Sequence, residues 1–168
     1  MRDGYCKGGI DLMGKKIKLF AMDVDGTMTD GRIYMGNEGE LLKAFHIKDG
    51  MGIRMLRERG VVPAIITGRE SEIVKNRAKE LGILELHQGI EDKTAVLKKL
   101  SEKYTIEKEE IAYIGDDIND LEAMAYAGLS FAPADAVQEV KDRADIALHT
   151  KGGEGAVREA VEYIFAKR

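Results

Sequence analysis

Short apolar runs alternate with amphipathic segments along most of this chain. The apolar runs are rich in β-branched residues and short enough to be strands, and they cover residues 17–22, 61–67, 84–88, 111–115, 129–133 and 146–149. The segments between them have the apolar spacing of helices and cover residues 51–60, 71–82, 93–104, 120–128 and 156–167. The pattern therefore predicts strands and helices in alternation.

Strands that are apolar throughout, with helices between them, are typical of a parallel sheet covered on both faces. Successive parallel strands are joined by right-handed crossovers. We therefore expect an α/β protein with a doubly wound, Rossmann-like sheet. Open sheets of this kind bind ligands beyond the carboxyl ends of their strands, so candidate functional residues should lie there.

One segment departs from the alternation. Residues 32–35 and 41–47 are two β-rich runs that flank Gly-Asn-Glu-Gly, which predicts a β-hairpin over residues 32–47. The hairpin is too small to be a separate cap domain. We expect a single domain over residues 17–168, preceded by an extension over residues 1–16, because the length of 168 residues suits one core.

The composition excludes several classes of protein. The chain is 44% hydrophobic and 33% charged with a net charge of −4, which argues against a nucleic-acid surface. Its single cysteine, Cys6, excludes an intramolecular disulfide and a cysteine zinc cluster. The N-terminal residues lack the apolar core of a signal peptide, and no run of about 18 apolar residues occurs. These features predict a cytoplasmic protein that neither spans a membrane nor binds nucleic acid.

Three aspartates, Asp23, Asp25 and Asp30, follow the first predicted strand. Burial and mutual repulsion would raise the pKa values of clustered carboxylates, and a bound divalent cation is the simplest remedy. Mg²⁺ suits oxygen ligands and can share its coordination between carboxylates, waters and a phosphate oxygen. The cluster therefore predicts a magnesium site that can receive a phosphate.

More polar residues follow later strands or open a helix at the same predicted edge. They are Thr67, Gly68, Arg69, Lys93, Asp116, Asp117 and Asp120. Thr67, the amides after it and Lys93 can hold phosphoryl oxygens, and the helix that begins near residue 70 adds a favourable dipole. These groups predict a phosphoryl-transfer site.

The first two aspartates have distinct expected roles in that site. Asp23 is the candidate nucleophile, because a carboxylate can attack phosphorus to form an aspartyl-phosphate. Asp25 is the candidate acid and base, which protonates the departing alcohol and then takes a proton from the hydrolytic water. Asp30 has the weaker claim to chemistry and can instead cap or orient the hairpin.

The order DxDGT, then TG after a strand, then a lysine, then GDDxxD resembles the haloacid dehalogenase superfamily of aspartate-nucleophile phosphatases. The resemblance covers nearly the whole chain from residue 17. It implies metal ligation by the Asp23 carboxylate, the Asp25 backbone carbonyl and the Asp116 carboxylate. Asp117 and Asp120 fit the same acidic motif and are expected to hold the metal or its waters.

A narrower resemblance comes from residues 23–53 and 151–162, together with the lack of a cap domain. These features are similar to the capless 3-deoxy-D-manno-octulosonate 8-phosphate phosphatase family of lipopolysaccharide sugar synthesis. The family implies a small phosphorylated sugar acid as substrate. It also implies a homotetramer in which neighbouring subunits cover each other's active sites.

Lys48 and Arg69 are the expected substrate-binding residues, and both bear on the choice of substrate. The chain has Lys48-Asp49-Gly50 where the family often has Arg-Asp-Gly, and lysine keeps the charge but loses the planar fork. Arg69 can pair with a sugar carboxylate and favours the octulosonate substrate. A nonulosonate 9-phosphate, of sialic acid or KDN, remains the alternative substrate.

Two other functional classes use similar residues. A phospho-receiver domain also combines acidic residues, a hydroxyl, a lysine and Mg²⁺, but it accepts phosphate on an aspartate after its third strand, and residues 84–89 contain none. A non-catalytic subunit that binds a phosphosugar is the other alternative. The presence of every expected catalytic group disfavours it.

Overall fold

The computed structural model describes residues 16–166. Its strands are β1 (Leu19–Met22), β2 (Tyr34–Gly36), β3 (Gly39–Leu42), β4 (Val62–Ile66), β5 (Glu85–His87), β6 (Ile111–Ile114), β7 (Leu129–Ala132) and β8 (Ile146–Ala147). Six of them form one parallel sheet in the order β5-β4-β1-β6-β7-β8, and β2 and β3 form a separate antiparallel hairpin. The predicted α/β class with a hairpin insertion is confirmed. Cys6 and all of the predicted extension except Lys16 lie outside the described residues.

Six α-helices connect the strands. They are α1 (Ile47–Glu58), α2 (Glu72–Leu81), α3 (Lys93–Tyr104), α4 (Leu121–Tyr126), α5 (Gln138–Arg143) and α6 (Ala156–Phe165). Short 3₁₀ turns cover Lys108–Glu110 and Ile118–Asp120. Among residues 16–166, none of the helices has both the length and the apolar character that crossing a membrane requires.

The sheet separates two hydrophobic cores, because successive strand side chains point to opposite faces. Phe20 and Met22 of β1 belong to the core shared with α1, α2 and α6. Leu19 and Ala21 belong to the core shared with α3, α4 and α5. All four side chains are fully buried, which explains why the strand sequence is apolar at every position.

The central strands bring the candidate residues together. Met22 at the end of β1 lies beside Ile65 of β4 on one side and Ile114 of β6 on the other. The loops that follow β1, β4 and β6 therefore begin at the same edge of the sheet. Asp23 continues the β1 pairing, since its amide donates to the Ile114 carbonyl at 3.1 Å.

The hairpin and the first helix differ from their predicted bounds. The predicted second strand over 41–47 was wrong beyond Leu42, because Leu42 pairs with Tyr34, the first residue of β2, and the ladder ends at that pair. The hairpin ladder therefore spans residues 34–42, within the predicted 32–47. Helix α1 begins at Ile47, ahead of the predicted residue 51, because His46 Nδ1 accepts the Lys48 amide at 3.3 Å and caps it. Helix α5 was not predicted; Val140 is its one buried residue.

Candidate active site

The loop after β1 is a tight turn around one carbonyl group. The Val24 oxygen accepts the amides of Thr27, Met28 and Thr29 at 3.2, 2.9 and 3.0 Å. Gly26 has a φ of +99°, and a Cβ atom added there would lie 2.0 Å from Asp116 Oδ2. The turn therefore requires glycine, which lets the loop approach the acidic residues after β6.

A buried lysine connects the acidic residues. Lys93 is the first residue of α3, and its Nζ donates to Asp23 Oδ1 at 2.7 Å and to Asp120 Oδ1 at 2.6 Å. Asp120 is fully buried, and its carboxylate also accepts the Tyr113 hydroxyl at 2.7 Å and the Asp116 amide at 3.0 Å. Protein donors occupy both carboxylate oxygens of Asp120. Asp120 therefore holds the Lys93 ammonium group and the Asp116 backbone in position.

The carboxylates repel one another because they are buried close together. Burial raises the pKa of Asp23 from 3.8 to about 6, with the Asp120 charge adding to the shift and Lys93 opposing it. Burial also raises the pKa of Asp116 from 3.8 to about 8, and the charges of Asp23 and Asp120 add to it. For Lys93, burial acts to lower the pKa, but the two carboxylates outweigh it and raise the pKa.

This cluster fits a magnesium ion. Carboxylate oxygens of Asp23, Asp116 and Asp120 lie within 4.8 Å of one another. The cluster has three carboxylates and only one lysine, so a cation would relieve the repulsion that raises the pKa values. Carboxylate oxygens are also the ligands that Mg²⁺ prefers.

The structure predicts how pH and Mg²⁺ act together on stability. An acidic group whose pKa is higher in the folded state than in the unfolded state stabilises the fold fully at pH values below its unfolded-state pKa. That stabilisation is lost as pH rises through the folded-state pKa. Without metal, the Asp116 contribution should therefore decline between pH 4 and pH 8. Mg²⁺ at about 100 times its Kd would add about 2.7 kcal/mol and raise Tm by roughly 5–10 °C.

Thermal unfolding at pH 6 and pH 8, in Mg²⁺ or a chelator, measures this effect. Asp116→Asn should raise the metal-free Tm at pH 8 and remove most of the Mg²⁺ effect. Asp142→Asn, an exposed change on α5, is the charge-matched control and should leave both unchanged. A full Mg²⁺ effect in Asp116→Asn would exclude this residue as a ligand.

The residues after β4 lie at the same edge of the sheet as the aspartates, because β4 is parallel to β1 and lies beside it. Thr67 is buried at the end of β4, where its amide donates to the His87 carbonyl at 3.0 Å and its carbonyl accepts the Ile90 amide at 3.1 Å. Gly68 and Arg69 follow and are exposed. Arg69 Nε lies 3.9 Å from Asp25 Oδ2. Arg69 is thus close enough to the acid and base candidate to contact a bound substrate.

The side chains of three other predicted or candidate residues are not part of the group formed by Asp23, Asp116 and Asp120. Lys48 lines a separate groove of about 460 Å³ whose lining contains none of the predicted catalytic or metal-binding residues. Asp117 is exposed, and its Oδ1 accepts the Ile118 amide at 2.7 Å, while its own amide donates to Asp120 Oδ2 at 3.3 Å. Asp30 is exposed and accepts the Arg32 amide at 3.0 Å, so within this chain it acts as a turn cap.

The structure adds residues that the sequence reasoning did not assign. Thr27 Oγ1 donates to Asp116 Oδ1 at 3.0 Å, and its place in the DxDGT motif is the signal that marks it. The Gly152-Gly153 turn packs against the loop that follows β1. The Gly153 amide donates to the Thr27 carbonyl at 3.1 Å, and a Cβ at Gly152 would lie 1.8 Å from the Gly26 oxygen.

Comparison with known proteins gives consistent matches. Residues 82–160 match the sequence profile of the haloacid dehalogenase-like hydrolases. The 3-deoxy-D-manno-octulosonate 8-phosphate phosphatase KdsC of Salmonella typhi is 46% identical over 150 residues, which are 89% of this chain and 80% of that protein. The chain is thus similar to this phosphatase over most of both lengths.

Two solved structures are similar over the same part of the chain. A 3-deoxy-D-manno-octulosonate 8-phosphate phosphatase from Moraxella catarrhalis, in complex with magnesium, phosphate and KDO, has a TM-score of 0.87 and 45% identity, covering 90% of this chain and 87% of that one. The cobalt-bound deoxy-D-mannose-octulosonate 8-phosphate phosphatase of Haemophilus influenzae has a TM-score of 0.88 and 41% identity, covering 90% and 89%. Both of these relatives are solved with a divalent metal.

Proposed function

This chain belongs to the 3-deoxy-D-manno-octulosonate 8-phosphate phosphatase family of haloacid dehalogenase-like hydrolases, and we propose that it hydrolyses this sugar phosphate to KDO and inorganic phosphate. It is a Mg²⁺-dependent phosphoric monoester hydrolase that serves lipopolysaccharide sugar synthesis. One observation carries the proposal. Lys93 holds Asp23 beside Asp116 and Asp120, at the edge where Asp25 and Thr67 also lie.

In the first step, a carboxylate oxygen of Asp23 attacks phosphorus as the bond between phosphorus and the sugar oxygen breaks. Lys93 fixes the orientation of Asp23 through Oδ1. Asp25 gives its proton to the departing sugar oxygen, so the sugar leaves as an alcohol. The products of this step are free KDO and an aspartyl-phosphate at Asp23.

In the second step, Asp25 is a carboxylate and takes a proton from water. The water oxygen attacks phosphorus, and the bond between phosphorus and Asp23 breaks. Inorganic phosphate and the original Asp23 carboxylate result, and Asp25 is again protonated. The same residue therefore serves as acid and then as base.

Asp23, Asp116 and the Asp25 backbone carbonyl are the groups we assign to the metal, with Asp120 and Asp117 supporting them or the bound waters. A bound Mg²⁺ supplies positive charge that offsets the charge developing on the phosphoryl oxygens. Thr67, the Gly68 amide and Lys93 are assigned to the remaining phosphoryl oxygens. Burial of Thr67 and Lys93 strengthens such contacts, because water is excluded there.

Arg69 supports an acidic sugar as substrate. Its side chain is about half exposed, and its Nε lies 3.9 Å from Asp25 Oδ2. A substrate that receives a proton from Asp25 would therefore lie close to the Arg69 guanidinium group. A guanidinium pairs well with a carboxylate. The chain belongs to a phosphatase family, and the proposed nucleophile, the acid and base, and the phosphate-binding lysine are all present, which disfavours a receiver domain and a non-catalytic binding subunit.

Phosphate release in Mg²⁺ tests the proposed substrate. The octulosonate 8-phosphate should exceed a nonulosonate 9-phosphate in kcat/KM by at least about 10-fold, which is about 1.4 kcal/mol of transition-state discrimination. Glucose 6-phosphate is the control that lacks a carboxylate. A preference for the nine-carbon acid would assign the chain to the sialic acid or KDN branch, and no release from any of them would refute the phosphatase proposal.

We also propose that the enzyme works as a homotetramer in the cytoplasm. The hairpin and the start of α1 expose large apolar side chains, among them Met35 at 61%, Leu41 at 65% and Ile47 at 83%. Clustered apolar surface of this kind marks a protein interface. Lys48 adjoins this surface, so its predicted contact with substrate would be made at a neighbouring subunit.

A further inference from the structure

A second buried lysine contacts the proposed acid and base. Lys43 follows β3, and its side chain is 1% exposed although the preceding Leu41 and Leu42 are 65% and 49% exposed. Its Nζ donates to Asp25 Oδ1 and lies 2.8 Å from Glu40 Oε1. A buried ammonium group is costly unless it is paired, and both partners of Lys43 are carboxylates.

Glu40 is itself held by the helix that follows the phosphate-binding turn. The Ser71 hydroxyl donates to Glu40 Oε2, and Ser71 Oγ also accepts the Val74 amide at 3.3 Å as the cap of α2. A series of side-chain contacts therefore connects Asp25, through Lys43 and Glu40, to Ser71 at the start of α2. It joins three segments that are distant in the sequence.

We propose that Lys43 is a positioning residue that fixes Asp25 for proton transfer, and that Glu40 and Ser71 hold Lys43 in place. Because Lys43 binds Oδ1, the side-chain torsions of Asp25 are fixed and Oδ2 remains the oxygen that exchanges the proton. Oδ2 is also the oxygen 3.9 Å from Arg69 Nε, on the proposed substrate side. The inference rests on the proposed function, since it assumes that Asp25 protonates a sugar leaving group.

Two substrates separate positioning from general damage to the site. A sugar alkoxide needs a proton as it leaves, whereas p-nitrophenolate leaves readily without one. Single-turnover release of the leaving group, with enzyme in excess and Mg²⁺ present, reports the first step alone. Lys43→Met should slow release from the octulosonate 8-phosphate by about 10²-fold, the lower end of general acid catalysis, and should leave p-nitrophenolate release almost unchanged.

Matched variants complete the test. Lys75→Met on α2 removes an exposed lysine and should behave as wild type on both substrates. Lys43→Arg should recover part of the lost rate because it keeps a charged donor. If Lys43→Met does not fold, Glu40→Gln is the alternative variant, because it removes the charge that anchors Lys43. It should slow release from the octulosonate 8-phosphate by a smaller factor and leave p-nitrophenolate release almost unchanged.

The outcomes are distinct. Equal losses on both substrates, or no loss on either, would overturn the role of Lys43. Failure of the wild type to cleave the octulosonate phosphate would overturn the proposed function instead. In that case the same comparison, made with whichever alkyl phosphate the wild type cleaves, still decides the role of Lys43.

Discussion

Replacing Asp23 by asparagine should lower phosphate release by at least about 10⁴-fold while the protein remains folded. The amide has nearly the shape of the carboxylate but cannot attack phosphorus. Its oxygen can still accept from Lys93, and loss of the charge relieves repulsion from Asp120. We therefore expect the free energy of unfolding to change by no more than about 2 kcal/mol, the size of one charged hydrogen bond.

Steady-state kinetics and thermal unfolding measure the two parts of this result. Peptide mass spectrometry checks that the introduced amide has not hydrolysed back to aspartate. The control is Asp142→Asn, which makes the same chemical change at an exposed position and should leave turnover intact. Substantial turnover by Asp23→Asn would show that another residue is the nucleophile.

Replacing Lys93 by methionine should damage both stability and activity. Lys93 is 2% exposed and is paired with two buried carboxylates, so its removal leaves like charges facing each other in the core. Removing one partner of a buried ion pair costs roughly 3–5 kcal/mol. Loss of a donor to the nucleophile and the phosphoryl group should lower kcat by about 10²–10³-fold.

Denaturant unfolding and kinetics on two further variants separate these effects. Lys99→Met removes an exposed lysine from the same helix and should change neither property. Lys93→Met combined with Asp120→Asn removes one of the facing charges and should recover part of the stability but little activity. If the single variant were as stable as wild type, the cluster would not depend on Lys93 for charge balance.

Much of the site could be predicted because parallel strands end at one edge of the sheet. Asp23, Thr67 and Asp116 are far apart in the chain, yet each follows a central strand by one or two residues. Lys93 was predicted at the first position of its helix, and the structure places it there. Strand order and short loops leave such residues little freedom, so their convergence follows from the alternating pattern.

Contacts that depend on one side chain turning inward could not be predicted. Lys43 stands among β-rich apolar residues, and its pairing with Asp25 arises only when the hairpin folds back over the loop. The same holds for Gly152, whose closeness to Gly26 joins the two ends of the domain. Neither contact leaves a periodic signal, because each depends on tertiary packing.

Rapid quenching during turnover of the octulosonate 8-phosphate tests whether Asp23 is the nucleophile. Borohydride reduces an aspartyl-phosphate to homoserine, so peptide mass spectrometry can identify the residue that carried the phosphoryl group. We predict homoserine at position 23, formed only when substrate and Mg²⁺ are both present and absent in Asp23→Asn. Phosphate release with no trapped residue at position 23, or with homoserine at another aspartate, would contradict it.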